Sequence, residues 1–169
     1  MADYANVLIK LKLKPQYKNA IETILKRKKR NQSKYFEWYD YFSFITREGE
    51  IKTSNPYGEN EYLYLEGMGL NINMVGKYSI DDTIKLEDDI LTIKMYKKWS
   101  SLQNAIPTIQ ENLEEIALEV YFCEISAYDQ EDEKYYLYSY DINIIGPEND
   151  YPFVEMNLKD KHLITDDEY

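Results

Sequence analysis

The stretch Val7-Leu-Ile-Lys-Leu-Lys-Leu13, with Pro15 two residues further on, decides how the fold begins. Leu11 and Leu13 alternate with lysines at the period of two that is typical of a half-buried strand. Pro15 ends this strand, and its fixed φ suits the first turn of a helix. The apolar residues that follow recur at helical spacing: Tyr17, Ala20, Ile21, Ile24 and Leu25. The sequence therefore predicts a strand that leads directly into an amphipathic helix.

Most of the remaining chain has strand patterns. Alternating, aromatic and β-branched residues predict strands at 35–46, 51–53, 61–66, 70–75, 84–86, 90–96, 117–127 and 134–145. A second amphipathic helix is predicted over 100–113, with Pro107 either bending it or dividing it into two short turns. This order predicts an α+β fold, in which a large, twisted antiparallel sheet carries two helices on one face. We expect a single domain over 1–147 and a loosely docked acidic tail over 148–169.

The charge of the 169-residue chain is distributed unevenly, although the total is −11. Residues 1–34 hold ten basic and two acidic residues, or +8, and the rest hold ten basic and 29 acidic residues, or −19. Such asymmetry concerns partners and association rates rather than the fold. A single cysteine, no signal-peptide pattern and no membrane-length apolar run predict a cytoplasmic protein.

Histidine and cysteine occur once each in the sequence, and neither has a catalytic or metal-binding partner at a useful spacing along the chain. His162 is predicted to be an ordinary surface residue. Cys123 lies in the middle of a predicted strand, where a thiol is usually buried and inert. The acids between Asp129 and Glu133 could be calcium ligands, but the glycine and the final glutamate of an EF-hand loop are missing. We therefore expect no catalytic residue, no metal and no cofactor.

The most unusual feature of the composition is its 18 tyrosines. Tyr136, Tyr138 and Tyr140 share one face of a predicted strand that follows the acidic turn. Tyrosine is enriched at protein interfaces, although AT-rich coding would raise its number equally well. Flat rings beside regularly spaced carboxylates would imitate the bases and phosphates of a nucleic acid. Such a surface would suit a partner that binds phosphates through arginine and lysine.

One part of the chain resembles a known family. It begins with Leu91-Thr-Ile-Lys-Met-Tyr-Lys-Lys-Trp-Ser100, continues through the helix with Pro107, and ends with the strand over 116–125 and the hairpin at Tyr128. This stretch, about a third of the chain, resembles the YubB-like ferredoxin-type domain of plasmid and phage proteins. The family opens with an aromatic-Cys-x-Asn motif, which Asp3-Tyr4-Ala5-Asn6 resembles faintly, and the cysteine is absent. The resemblance implies ferredoxin-like elements and an origin in a mobile element, and it implies no catalytic residues.

Three functions follow as hypotheses. The first is a non-enzymatic binding protein that blocks or modulates a basic, nucleic-acid-handling protein, in the manner of a phage anti-defence (anti-CRISPR-like) inhibitor. Its predicted partner-binding residues are Asp129, Glu131, Asp132, Glu133, Tyr136 and Tyr138. The second is a nucleic-acid-binding domain that uses a basic helix end and a nearby aromatic residue: Lys26, Arg27, Lys28, Lys29, Arg30 and Trp38. The third is an enzyme or small-ligand protein with a site of scattered carboxylates and tyrosines.

Overall fold

A computed structural model of the chain describes residues 4–30, 44–46, 48–52, 62–64, 84–98, 102–146 and 153–165. The helices in these parts of the chain are α1 (Pro15–Arg30) and α2 (Leu102–Ile116). The strands, in chain order, are β1 (Tyr4–Leu13), β2 (Phe44–Thr46), β3 (Ile51–Lys52), β4 (Tyr62–Tyr64), β5 (Ile84–Glu87), β6 (Ile90–Lys98), β7 (Ala117–Asp129), β8 (Lys134–Ile145) and β9 (Phe153–Leu163).

The described strands form two sheets. Six of them make an antiparallel sheet in the order β5-β6-β1-β7-β8-β9, and the other three pair in the order β3-β2-β4. The predicted α+β fold with a large antiparallel sheet is therefore confirmed. Four strands of the larger sheet lie in the order β7-β1-β6-β5. With α1 after β1 and α2 after β6, they follow the βαββαβ connectivity. This order is compatible with the ferredoxin-like elements that the resemblance implies.

The core lies on one face of the larger sheet. Every second residue of β1 is buried, and Ile9 lies opposite Ile93 on one side and Cys123 on the other. Residues of both helices belong to the same buried cluster, with Tyr17 from α1 and Leu113 from α2 among them. Burial of one such large side chain stabilises the fold by about 1.5–3 kcal/mol. Both helices therefore cover the same face, and the strand and helix periodicities identified the residues that meet there.

Lys14 joins the start of α1 to the end of α2. Its backbone N–H donates to the carbonyl of Ile116 at 2.8 Å, and its Nζ donates to the carbonyl of Glu114 at 2.8 Å. A cation is favourable at a helix C-terminus, where the last carbonyls have no partner within the helix. α2 itself is one continuous helix and not two short turns, although Pro107, its sixth residue, cannot donate a backbone hydrogen bond.

The turn between β2 and β3 is fitted closely against the beginning of α1. Gly49 has φ +89°, which is left-handed backbone that suits glycine. A Cβ at this position would overlap the backbone carbonyl of Gln16, so the turn leaves no room for a side chain. Ile51, just beyond the turn, packs partly buried against the core.

The C-terminal segment corrects one expectation. Residues 148–169 were expected to be a loosely docked tail, but Phe153–Leu163 forms β9 and pairs with β8 from Ile145 to Tyr136. α2 also holds this strand, since Gln110 Nε2 donates to the carbonyl of Val154 at 3.4 Å and the Val154 N–H donates to Glu114 Oε1 at 3.3 Å. The side chain of Val154 is completely buried. Val154 is buried and Met156 packs half-buried against the core, whereas Leu158 is exposed. The remaining residues of the strand are mostly polar, and this composition resembles that of a tail.

β9 contains one irregularity that matters for the site. Ser139 lies opposite Asp160, whereas the next residue of β8, Tyr140, lies opposite Leu158. Lys159 is therefore the extra residue of a β-bulge.

Candidate functional site

The predicted acidic turn is a well-defined structure that connects β7 to β8. Asp129 Oδ1 accepts the backbone N–H of Glu131 at 2.9 Å and that of Asp132 at 3.2 Å. Such a side-chain-to-backbone turn fixes the chain locally. Glu133 closes the turn with φ +55°, in the left-handed region. The side chains of Glu131, Asp132 and Glu133 are all exposed, so the turn presents three carboxylates to solvent.

A lysine from the last strand is bound to this turn. Lys161 Nζ donates to Asp129 Oδ2 at 3.0 Å and lies 3.9 Å from Asp132 Oδ2. It also lies 4.1 Å from the ring centroid of Tyr136 and 5.6 Å from that of Tyr138, within cation–π range. The strand register explains this position, because Lys161 lies directly opposite Tyr138 on β8.

The two tyrosine hydroxyls complete the arrangement. Tyr136 donates to Asp132 Oδ2 at 2.8 Å, and Tyr138 donates to Asp129 Oδ2 at 3.4 Å. Their rings are tilted by 54° with centroids 6.2 Å apart. We call Asp129, Asp132, Tyr136 and Tyr138 the ammonium cage, since all four surround the Lys161 ammonium group.

The contacts within the cage favour the charged forms of Asp129 and Lys161 and the neutral forms of the two tyrosines. The hydrogen bond from Lys161 lowers the pKa of Asp129, and the same bond raises the pKa of Lys161. The hydrogen bond to Asp132 raises the pKa of Tyr136, and burial raises the pKa of Tyr138. The carboxylate and the ammonium are therefore charged, and both phenols are neutral hydrogen-bond donors.

The structure brings four of the six predicted partner-binding residues into direct contact, namely Asp129, Asp132, Tyr136 and Tyr138. Glu131 and Glu133 lie on the same turn, with exposed side chains. Tyr138 is only 8% exposed, so its ring supplies a wall of the cage rather than an open contact surface.

Sequence reasoning missed two members of this region. Lys161 lies in the segment that the sequence predicts to be a tail, although the alternation of Val154, Met156 and Leu158 is a strand signal. Tyr135 was overlooked because it belongs to the other face of β8; it is 42% exposed, and its ring lies 5.1 Å from that of Tyr128. The turn is therefore flanked by rings on both faces of the sheet.

The alternative nucleic-acid site is described only in part. Lys26 is exposed and pairs with Glu22 one turn earlier in α1, at 3.1 Å. Arg27, Lys28, Lys29 and Arg30 form the last turn of α1. Their side chains and Trp38 lie outside the described residues.

The two candidates for nucleophilic or acid–base chemistry lie where the sequence predicted them. Cys123 is 1% exposed, and burial raises the pKa of its thiol to about 12, so the thiol is protonated at neutral pH. His162 is an exposed residue of β9, opposite Leu137. The predictions of a buried thiol and a surface histidine are thus confirmed.

Two further observations concern the described parts of the chain as a whole. No three histidine, cysteine, aspartate or glutamate side chains in these parts converge as metal ligands would. Neither of the described helices is both long and apolar enough to span a membrane. No family model, no curated protein and no solved structure matches this chain, so its function is argued from its own residues.

Proposed function

We propose that this chain is a non-enzymatic binding protein whose acidic turn blocks or modulates a basic protein that handles nucleic acid. The observation that carries the proposal is the acidic turn itself, where Asp129 binds the backbone beneath three exposed carboxylates and is in turn bound by Lys161. In keeping with the family resemblance, the proposed setting is a phage or mobile element, where the chain would act as an anti-defence, anti-CRISPR-like inhibitor.

The rigidity of the turn supports binding more than negative charge alone would. Carboxylates on a disordered tail lose conformational freedom when they bind, and this loss weakens the complex. Glu131, Asp132 and Glu133 instead stand on a backbone already held by two hydrogen bonds to Asp129. The backbone from which they project is therefore already held before a partner arrives, which favours the imitation of regularly spaced phosphates.

The charge of the whole chain supports the same partner. At −11, the protein attracts a basic surface over long distances and repels nucleic acid. Tyr135 and Tyr136 place aromatic rings beside the acidic turn, one on each face of the sheet. Rings next to carboxylates suit a surface that normally contacts both the phosphates and the bases of a nucleic acid.

The test reverses charge at the turn without disturbing its hydrogen bonds. The double variant Glu131→Lys/Glu133→Lys spares Asp129 and Asp132. The matched control is Glu87→Lys/Asp88→Lys in the β5–β6 turn, at the opposite end of the sheet. Each pair changes the net charge by the same amount, and each includes one left-handed residue, Glu133 at φ +55° and Asp88 at φ +57°.

The assay measures association with a partner recovered from host lysate and then purified, at low and at physiological salt. We expect the turn variant to slow association at least about tenfold at low salt, because electrostatic steering accelerates association by about 10–10³. The control should change it less than about twofold, and loading the partner with its nucleic acid should abolish binding. Equal effects of both variants would reduce the proposal to general charge attraction and would contradict it.

The same salt series separates the nucleic-acid-binding alternative. The alternative would be supported if the chain bound single- or double-stranded oligonucleotides directly and this binding weakened steeply with salt. Lys26–Arg30 would then be the residues that contact the phosphates. In that outcome, charge reversal at Glu131 and Glu133 would strengthen binding, whereas it weakens binding in the proposed function.

A further inference from the structure

The Lys161 ammonium group is held by two ring faces and two carboxylates at once. The rings of Tyr136 and Tyr138 lie 4.1 and 5.6 Å from Nζ, and the Asp129 and Asp132 oxygens lie 3.0 and 3.9 Å from it. Aromatic faces combined with carboxylate acceptors are what proteins use to recognise organic cations. An ordinary surface ion pair has the carboxylate alone, so the rings distinguish this group.

We propose that the ammonium cage is a recognition site for a lysine side chain, which Lys161 of the chain itself occupies until a partner's lysine replaces it. The site would then be closed by an internal competitor in the free protein. Lysine fits better than arginine or a metal ion, because the structure already holds a primary ammonium group there with both acceptor oxygens and both rings engaged.

The position of Lys161 makes such an exchange feasible. It belongs to β9, the last strand of the sheet, and its side chain is 36% exposed. A partly exposed ion pair contributes little to stability, since solvent and side-chain entropy offset most of the attraction. The long flexible stem can also carry its charge outward into water. Exchange replaces one lysine by another in the same cage, so the ammonium group makes the same kinds of contact before and after it.

The walls of the cage can stay in place while the guest changes. Tyr138 is buried in the core cluster, and Asp129 is bound to the backbone of the turn as well as to Lys161. Removal of Lys161 therefore leaves a preformed site. The inference rests on the proposed function for the source of the guest, a basic partner, but the capacity of the cage for an alkylammonium ion does not depend on it.

The test opens the cage and offers a small guest. Lys161→Ala removes a propylammonium group, so propylammonium chloride is the probe, with sodium chloride at equal ionic strength as the reference. NMR of the Tyr136 and Tyr138 ring protons follows binding. We expect saturable shifts in Lys161→Ala, and none over the same range in the wild type or in Lys161→Met, whose uncharged side chain fills the space.

A ring variant checks that the cage itself binds the probe. Adding Tyr136→Leu to Lys161→Ala should weaken probe binding about two- to fivefold, the fold-change of a cation–π contact at an exposed site. Any of three results would overturn the inference. Folded Lys161→Ala could show no saturable shift, the added Tyr136→Leu could leave probe binding unchanged, or the wild type could bind the probe as well as Lys161→Ala does. Lys161→Ser replaces the alanine variant in the same test should the latter not fold.

This experiment contains no partner, so its failure is distinct from failure of the proposed function. If the probe does not bind but charge reversal at Glu131 and Glu133 still slows the partner, only the cage inference is wrong. If the probe binds but charge reversal has no effect on the partner, the cage inference stands and the proposed function is wrong.

Discussion

The buried thiol of Cys123 makes the stability of this protein depend on pH in a way that can be calculated. Burial raises its pKa from the ordinary 9.0 to about 12. Because the folded pKa is the higher one, the unfolded chain loses its proton first as the pH rises. The stabilisation is therefore complete below pH 9 and is lost progressively as the pH rises towards about 12.

The size of the effect follows from the two pKa values. At about pH 10 the unfolded thiol is mostly ionised while the folded thiol keeps its proton, so the free energy of unfolding falls by about 1 kcal/mol relative to pH 8. Across the whole interval of about three units the loss would reach roughly 4 kcal/mol. Cys123→Ala has no thiol and should not show this part of the pH dependence.

The assay is urea unfolding of the wild type and Cys123→Ala at pH 8 and pH 10. At pH 8 the variant is less stable, because it loses buried volume. At pH 10 the difference in unfolding free energy between the two proteins should shrink by about 1 kcal/mol. Ile125→Val, two residues along the same strand, is the control; its cost of about 0.5–1.5 kcal/mol should be the same at both pH values.

Two results would refute this reasoning. A gap between wild type and Cys123→Ala that is unchanged to within about 0.3 kcal/mol would mean that the thiol titrates alike in both states. Rapid reaction of the folded protein with a thiol reagent at neutral pH would mean that Cys123 is accessible and ionised. Either result would also make Cys123 a candidate nucleophile.

Three further predictions concern the site and its supports. Glu114→Ala should cost about 1–3 kcal/mol and speed amide exchange at Val154, whose N–H loses its acceptor; unchanged exchange would contradict the contact. Gly49→Ala should destabilise by more than about 1 kcal/mol, because both its φ of +89° and the nearby Gln16 carbonyl exclude a Cβ; a neutral result in thermal unfolding would refute this fit. Asp129→Asn should reduce the amount by which the free energy of unfolding falls in acid. The pKa of Asp129 is lowered in the folded state, so this carboxylate contributes stability above its ordinary pKa of 3.8 and loses it as the pH falls through the lower folded value. An acid dependence of stability identical to that of the wild type would argue against the ion pair.

The beginning of the fold was predictable because its signals are local. The alternation around Leu11 and Leu13 and the helical spacing from Tyr17 to Leu25 depend only on residues close in sequence. Each pattern places its apolar residues on one face, and burial of that face is the main stabilising contribution. The hairpins on either side of the 88–89 and 130–133 turns were predictable for the same reason.

The ammonium cage could be predicted only in part. Asp129 and Tyr136 belong to one hairpin, so the local pattern brought them together. Lys161 comes from a different strand, and its position depends on long-range pairing and on a bulge that no local periodicity reveals. A strand at the edge of a sheet also carries charged outward residues, and these resemble the composition of a tail.

The bulge at Lys159 determines the sign of the charge inside the cage. Had β9 continued in register from Leu158 opposite Tyr140, the residue opposite Tyr138 would have been Asp160 and not Lys161. A third carboxylate would then lie beside Asp129 and Asp132, and the rings would face an anion that their electron-rich faces repel. One inserted residue thus places a cation instead of a third anion beside the two aspartates and changes the formal charge of the group from −3 to −1, so that the register of an edge strand sets the local electrostatic polarity.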